Sequence, residues 1–190
     1  MGKGRMEAFS DGVIAIIITI MVLEMRVPIG DNPSTLKPLT LIFLSYILSF
    51  INIGIYWNNH HHMLHAVKKV NGNVLWANMH LLFWLSLIPF ASGWMGLNHF
   101  SKWPMILYGI ILEMAGIAYY ILGHILIGLN ENSMLAIAFG KDRKGIISLI
   151  IYPIGIALCF INPYCGFSMY VLVAAIWFYP DKRIEDGMID

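Results

Sequence analysis

A charged and polar motif opens the first long apolar segment of this sequence. Arg5 and Phe9-Ser10-Asp11 directly precede the apolar run of residues 12–28. An ionisable group at membrane depth is costly, so it is normally paired or facing water and often marks a functional site. A second interpretation stays open, in which Ser10 and Asp11 cap the N-terminus of a helix, where anions are favourable.

The apolar run that follows the motif has one helical face on which a pore could form. At 100° per residue, six residues fall within about 120° of one another. They are Gly12, Ile16, Thr19, Ile20, Leu23 and Val27. Asp11 falls on the opposite side, so its carboxylate would reach back into its own subunit. Because the whole helix is apolar, this periodicity permits a pore without showing one.

Four histidines stand close together near the end of a second apolar segment. They are His60, His61, His62 and His65. His61 and His65 share a helix face at i, i+4 spacing, which makes a metal site conceivable. No acidic or cysteine ligand lies nearby in the sequence, so a hydrogen-bonded cluster at the membrane boundary is favoured over a metal.

Two further features could carry chemistry. Glu113 lies inside another apolar segment, with His124 eleven residues later. This arrangement suggests either a proton- or ion-coupled site or a carboxyl group that pairs with a neighbour or faces an aqueous cleft.

Cys159 and Cys165 lack the CxxC spacing of zinc and redox motifs, so we expect them to pack as apolar side chains. No resident metal or cofactor is predicted.

The composition indicates which kind of protein must position these residues. Of the 190 residues, 58% are hydrophobic and only 12% are charged, and the mean hydropathy is +0.71. An average soluble protein has about a quarter of its residues charged. We therefore predict an all-α polytopic membrane protein with one domain over residues 1–190. The net charge of +1 and the lack of a basic stripe argue against a nucleic-acid partner.

Six segments are long and apolar enough to be read as membrane-spanning helices. They run from Phe9 to Met25, Pro38 to Trp57, Val74 to Leu97, Pro104 to Leu129, Gly145 to Ile161 and Tyr164 to Tyr179. The connection between the fifth and sixth is so short that we expect a tight hairpin. Pro89 and Pro153 are expected to kink their helices.

The basic residues predict the orientation in the membrane. Nine of them fall on the side of the N-terminus: Lys3, Arg5, Lys68, Lys69, Lys141, Arg143, Lys144, Lys182 and Arg183. Three fall on the other side: Arg26, Lys37 and Lys102. Basic residues are enriched in cytoplasmic loops, so both termini are predicted to be cytoplasmic.

The motif Arg5-x-x-x-Phe9-Ser10-Asp11, opening the first of six helices, resembles the signature of the transmembrane protein 175 family of potassium channels, in its single-repeat prokaryotic branch. The resemblance covers the motif, residues 12–28 and the six-span layout. It implies a potassium-permeable channel in a prokaryotic plasma membrane, built as a homotetramer with the first helices around the axis. It also implies no re-entrant filter loop, and no Thr-Val-Gly-Tyr-Gly stretch is present.

The resemblance also assigns positions to the pore. It places the narrowest hydrophobic layer at Ile16, the next layers at Ile20 and Leu23, and the hydroxyl linked to ion selectivity at Thr19. All four lie on the face selected by the helical wheel. From Ile16 to Leu23 the layers would extend over about 10 Å, at 1.5 Å per residue.

A buried polar network beside the pore helix is a further implication of the resemblance. Trp57 and one of the histidines, with Asn78 of the third helix, are implied to pack against Arg5 and Asp11. The sequence does not decide which histidine takes part, and we expect His61.

Three other functions are alternatives to a channel for a polytopic membrane protein of this kind. A secondary transporter would show inverted repeats and broken helices around a midplane site, which are not evident. An intramembrane enzyme would use the histidine cluster with Asp11 or Glu113, but no nucleophile-and-base or His-Glu-x-x-His arrangement supports one. A structural membrane subunit without transport is the third. Flux measurements in liposomes separate these alternatives.

Overall fold

Every regular element in the described part of the chain is a helix. The structure is a computed structural model that describes residues 2–130, 135 and 143–178. Its α-helices are α1 Lys3–Leu23, α2 Thr40–His65, α3 Gly72–Ser86, α4 Ile88–Leu97, α5 Lys102–Leu129, α6 Arg143–Leu158 and α7 Pro163–Phe178. A 3-10 helix, Pro33–Leu39, leads into α2. The predicted all-α fold is confirmed.

Within the described residues, four helical segments are long and apolar enough to cross a membrane. They are Lys3–Leu23, Pro33–His65, Gly72–Leu97 and Lys102–Leu129. Helices α6 and α7 are apolar but have 16 residues each, or about 24 Å at 1.5 Å per residue. They pack against each other as the expected hairpin. Tyr179, the predicted end of the last span, lies outside the described residues.

The third span is broken where proline predicted a kink. Helix α3 ends at Ser86, and α4 begins at Ile88 with Pro89 in its first turn. Proline has no N–H to donate to the carbonyl one turn back, so the helix cannot continue undisturbed through this point. Helix α6, in contrast, continues through Pro153.

Helix α1 has one buried face and one exposed face. It packs on α2, α3 and α4. The buried side consists of Met6, Ser10, Ile14, Ile17 and Met21. The exposed side includes Gly12, Ile16, Thr19, Ile20 and Leu23, the face that the helical wheel selected. Helix α1 therefore lies at the margin of its own subunit.

Helices α5, α6 and α7 pack together around one buried tyrosine, which lies against two glycines. Tyr170 of α7 is fully buried, and its hydroxyl donates to the Met105 carbonyl at 3.3 Å. A Cβ atom at Gly109 of α5 would overlap this hydroxyl, and one at Gly155 of α6 would meet the ring. Three helices thus meet around one aromatic side chain, remote from α1 in the sequence.

Hydrogen bonds attach the connection between α2 and α3 to α1 and to the C-terminal end of α5. Asn130, just after α5, accepts hydrogen bonds from the N–H groups of Lys68 and Lys69 at 3.2 and 3.0 Å and donates to the Lys69 carbonyl at 3.1 Å. Lys3 of α1 donates to the Val67 carbonyl at 2.9 Å. These basic residues share one end of the bundle, whereas Lys141, Lys182 and Arg183 lie outside the described residues.

Candidate pore helix and its polar anchor

The exposed face of α1 carries a row of large apolar side chains. Ile16 is 58% exposed and Leu23 is 77% exposed, although the neighbouring Ile17 is buried. Apolar side chains one helical turn apart form a continuous strip along the helix. No described residue of the subunit covers this strip, so lipid, water or a second copy of the chain must face it in a membrane.

Thr19 interrupts the apolar strip with one hydroxyl group. The hydroxyl donates to the carbonyl of Ile16, one turn earlier, at 2.8 Å. Because its proton is directed into the helix, the lone pairs of the oxygen stay available as acceptors. An oxygen lone pair can contact a cation directly, or it can accept a hydrogen bond from a water molecule in the hydration shell of the cation.

A buried chain of hydrogen bonds attaches the opposite face of α1 to α2 and α3. The Asn78 side-chain amide donates to the Ser10 hydroxyl at 2.9 Å, and Ser10 donates to the Met6 carbonyl at 2.9 Å. His60 Nε2 and Asn78 Oδ1 are 2.7 Å apart. Since an amide oxygen only accepts, the histidine donates through its Nε2 proton. Ser10, His60 and Asn78 are all buried.

A second polar contact lies one residue further along α1. The indole N–H of Trp57 donates to the Asp11 carboxylate at 3.0 Å. Asp11 is half-buried, and a hydrogen bond to a charged acceptor is stronger than one between neutral groups. Ser10 and Asp11 therefore hold α1 at two adjacent points, one on α3 and one on α2.

The capping interpretation of Ser10 and Asp11 is wrong. Helix α1 begins at Lys3, and Gly2 occupies the N-cap position. Both residues therefore lie in the interior of the helix, where their side chains are used for contacts between helices.

The histidine that joins Asn78 is His60, whereas the sequence favoured His61. His61 Nδ1 lies 3.2 Å from the Glu7 carboxylate, and its ring is stacked on Trp57 with centroids 6.2 Å apart. Consecutive residues of a helix point 100° apart, so only one of these two histidines can face α3. His60 follows the buried Ile53 by seven residues, so both lie on the same face of α2.

Arg5 and Phe9 are not part of this network. Both are exposed. The backbone N–H of Arg5 donates to the Gly2 carbonyl, but no hydrogen bond or ion pair joins its side chain to another described residue. Their spacing of four, followed by Gly12 and Ile16, places them on the exposed face of α1. The motif thus divides into two outward residues and two inward ones, which sequence reasoning had grouped together.

The other sequence candidates have separate surroundings. The Nδ1–H group of His124 in α5 donates to the Tyr120 carbonyl at 2.9 Å, and the His124 ring lies against the Tyr120 ring. In the part of the chain that the structure describes, no group of three or more potential ligands could hold a metal ion. Cys159 is buried and Cys165 is exposed, and both are free thiols.

We expect Asp11→Ala to lower the thermal stability of the purified protein, because the Trp57 indole loses a charged acceptor. Loss of such a bond costs about 1.5–3 kcal/mol. Fluorescence-detected size-exclusion chromatography after heating measures the effect. Asp31→Ala, in an exposed loop, is the matched control. A stable, assembled Asp11→Ala protein with altered ion preference would contradict a structural role.

Comparisons with known proteins indicate the family of this chain. Residues 5–89 match the family described as endosomal/lysosomal potassium channel TMEM175. A protein of Chryseobacterium sp., named as a potassium channel, is 56% identical over 189 residues, covering 99% of this chain and 98% of that protein. A protein of Streptomyces collinus with the same kind of name is 36% identical over 94 residues, covering 47% of this chain and 46% of its own length.

A solved structure shares the fold. The crystal structure of a lysosomal potassium-selective channel TMEM175 homolog from Chamaesiphon minutus superimposes with a TM-score of 0.75 at 24% identity, over 92% of this chain and 95% of that one. The Chryseobacterium relative extends the similarity over nearly the whole sequence. The chain therefore belongs to the TMEM175 family, a family of channels and not of enzymes.

Proposed function

We propose that this protein is a potassium-permeable cation channel that conducts passively along the exposed face of α1. The observation that carries the proposal is the near full-length similarity to a relative named as a potassium channel. Potassium is then the permeant ion, and the transport requires no cofactor. The exposed strip on α1 supplies the surface on which a path can form.

A single copy of α1 cannot enclose a path, so the proposal requires several copies. Its apolar outer strip lies at the margin of the subunit, where a rotation axis can bring equivalent strips together. We propose a homotetramer in which four α1 helices surround the axis, as the family resemblance implies. The Ser10 and Asp11 contacts then fix the angle at which each helix presents its outer face.

The narrowest point of the proposed path is a ring of Ile16 side chains, followed by Ile20 and Leu23. A narrow apolar ring cannot replace the water that an ion would have to shed, so it closes a pore by dewetting. The exposure of all three side chains supports this assignment. Thr19, between the layers, is the hydroxyl that would contact a partly dehydrated ion.

The proposed location is a prokaryotic plasma membrane with both termini in the cytoplasm. Lys3, Lys68 and Lys69 lie at the same end of the bundle, which agrees with the bias of basic residues toward cytoplasmic loops. The apolar exterior of the helices requires a lipid bilayer as partner.

Potassium flux into liposomes that contain the purified protein tests the function. A channel gives a flux that follows the potassium gradient, needs no coupled ion and does not saturate at millimolar concentration. A saturating, coupled flux would instead indicate a secondary transporter, and the absence of flux from correctly folded protein would indicate a structural subunit.

Thr19→Val is expected to reduce the preference for potassium over sodium several-fold while the protein stays assembled. Valine has nearly the shape of threonine but no oxygen to replace part of an ion's hydration shell. Reversal potentials under bi-ionic conditions measure the preference, and Thr19→Ser, which keeps the hydroxyl, is the matched control. Unchanged reversal potentials in Thr19→Val would remove Thr19 from selection.

A further inference from the structure

A cavity of about 50 Å³ lies among α2, α5, α6 and α7. None of the described residues that line it belongs to α1, so it is separate from the proposed conduction path. It has room for a few water molecules or for one small organic molecule.

Five aromatic rings line this cavity. They belong to Tyr56, Tyr119, Tyr120, Tyr152 and Trp177, and Ile55 and Leu149 add aliphatic surface. The rings of Tyr56 and Tyr119 meet edge to face, with centroids 6.1 Å apart. The face of an aromatic ring attracts a cation, and the attraction grows when the cation is removed from water.

Several polar side chains of the wall donate their protons to backbone carbonyls. The Tyr56 hydroxyl donates to the Leu112 carbonyl at 3.5 Å, so its proton is directed away from the cavity. The Ser148 hydroxyl accepts from Trp177 and donates to the Lys144 carbonyl, so its only proton is used and one lone pair remains. A molecule in the cavity therefore meets ring faces, oxygen lone pairs and the side-chain amides of Asn52 and Asn59, whose N–H groups donate to the Leu48 and Ile55 carbonyls.

The carboxyl group of Glu113 does not itself line the cavity, but it neighbours residues that do. Glu113 precedes Gly116, a lining residue, by three positions on α5, so both occupy one face of the helix. Its Oε2 atom is buried and has no hydrogen-bond partner among the described residues. Its electrostatic neighbours include the Tyr56 and Tyr152 side chains. A buried carboxylate without a positive partner is unfavourable in a membrane protein.

We propose that this cavity binds a small protonated amine, one per chain, with Glu113 as its counter-charge and the aromatic rings as its cage. An alkylammonium group matches each part of the wall: its charge faces the carboxylate and the rings, and its alkyl chain packs on Ile55 and Leu149. A potassium ion matches less well, because ring faces and aliphatic groups do not replace a hydration shell of oxygen atoms. The proposal does not depend on ion conduction.

Calorimetric titration of the purified wild-type protein with n-propylammonium chloride, at constant ionic strength, tests the site. We expect binding at one molecule per chain, no comparable binding of the neutral 1-propanol, and a change in tryptophan fluorescence. Glu113→Gln should weaken the binding roughly tenfold or more, because a charge pair a few ångströms apart is strong away from water. Glu24→Gln, at the exposed end of α1, should leave it unchanged.

Two further variants separate this site from the pore and from misfolding. Ile55→Trp fills the cavity without touching the carboxylate, so it should abolish binding even if Glu113→Gln does not fold. Thr19→Val should leave binding unchanged. Equal binding of 1-propanol, full binding by Ile55→Trp, or a stoichiometry of one per oligomer with loss in Thr19→Val would each overturn the proposal.

Discussion

Ile16→Asn is expected to raise the resting potassium flux into liposomes at least about tenfold. Asparagine has a similar bulk to isoleucine, but its amide holds water in the constriction, and a tenfold rise corresponds to about 1.4 kcal/mol off the barrier. Wetting of an apolar ring removes the cost that keeps it closed. Potassium flux at matched protein-to-lipid ratios, with no activating stimulus, measures the effect.

Ile18→Asn is the matched control for this experiment. Ile18 points about 160° away from Ile16 on the helix and packs against the core of its own subunit. Its replacement should lower stability without opening a leak. If Ile16→Asn assembles normally and leaks no more than the parent, the constriction lies elsewhere and the assignment of Ile16 fails.

Asn78→Leu is expected to be the most destabilising of the polar substitutions considered. It removes the acceptor of His60 and the donor to Ser10 at once, and both of these groups are buried. Each buried polar group left without a partner costs about 1–3 kcal/mol. For a chain of this size the melting temperature should fall by roughly 5–10 °C.

The melting temperature of Asn78→Leu can be followed by the fraction of protein that stays monodisperse after heating. Asn73→Leu is the control, since Asn73 lies on the same helix but is exposed. Ser10→Ala removes one bond of the network and should give an intermediate loss. Equal melting temperatures for Asn78→Leu and Asn73→Leu would show that the network does not hold α1.

The fold was predictable because membrane helices have a strong sequence signal. A spanning helix has to be long and apolar, so the approximate positions of α1, α2 and α5 followed from the apolar runs. The runs missed the polar ends of two helices: α1 begins at Lys3 instead of Phe9, and α2 continues to His65 instead of ending at Trp57. Helical spacing grouped the residues of the exposed face of α1, since residues three and four apart share a face. The choice of that face over the others depended on the family resemblance, because the whole helix is apolar. Both inferences use the sequence of one segment only, so they do not require knowledge of how the helices pack against each other.

The polar contacts were less predictable because they depend on how two segments are placed relative to each other. His60, His61 and His62 present three sides of one helix, and only the position of α3 selects His60 for Asn78. Ser10 could equally have begun a helix, until α1 was seen to start at Lys3. The residues that line the cavity come from four helices, so no pattern within one segment of the sequence predicts it.

The arrangement around Asn130 limits which residues this position can tolerate during evolution. One short side chain accepts from the Lys68 and Lys69 N–H groups and donates to the Lys69 carbonyl. Aspartate has no amide proton for that carbonyl, and serine has a single oxygen in place of a separate donor and acceptor. Among functional relatives that keep this loop, position 130 should therefore stay asparagine, while the side chains of Lys68 and Lys69, which take no part in the bonds, should vary.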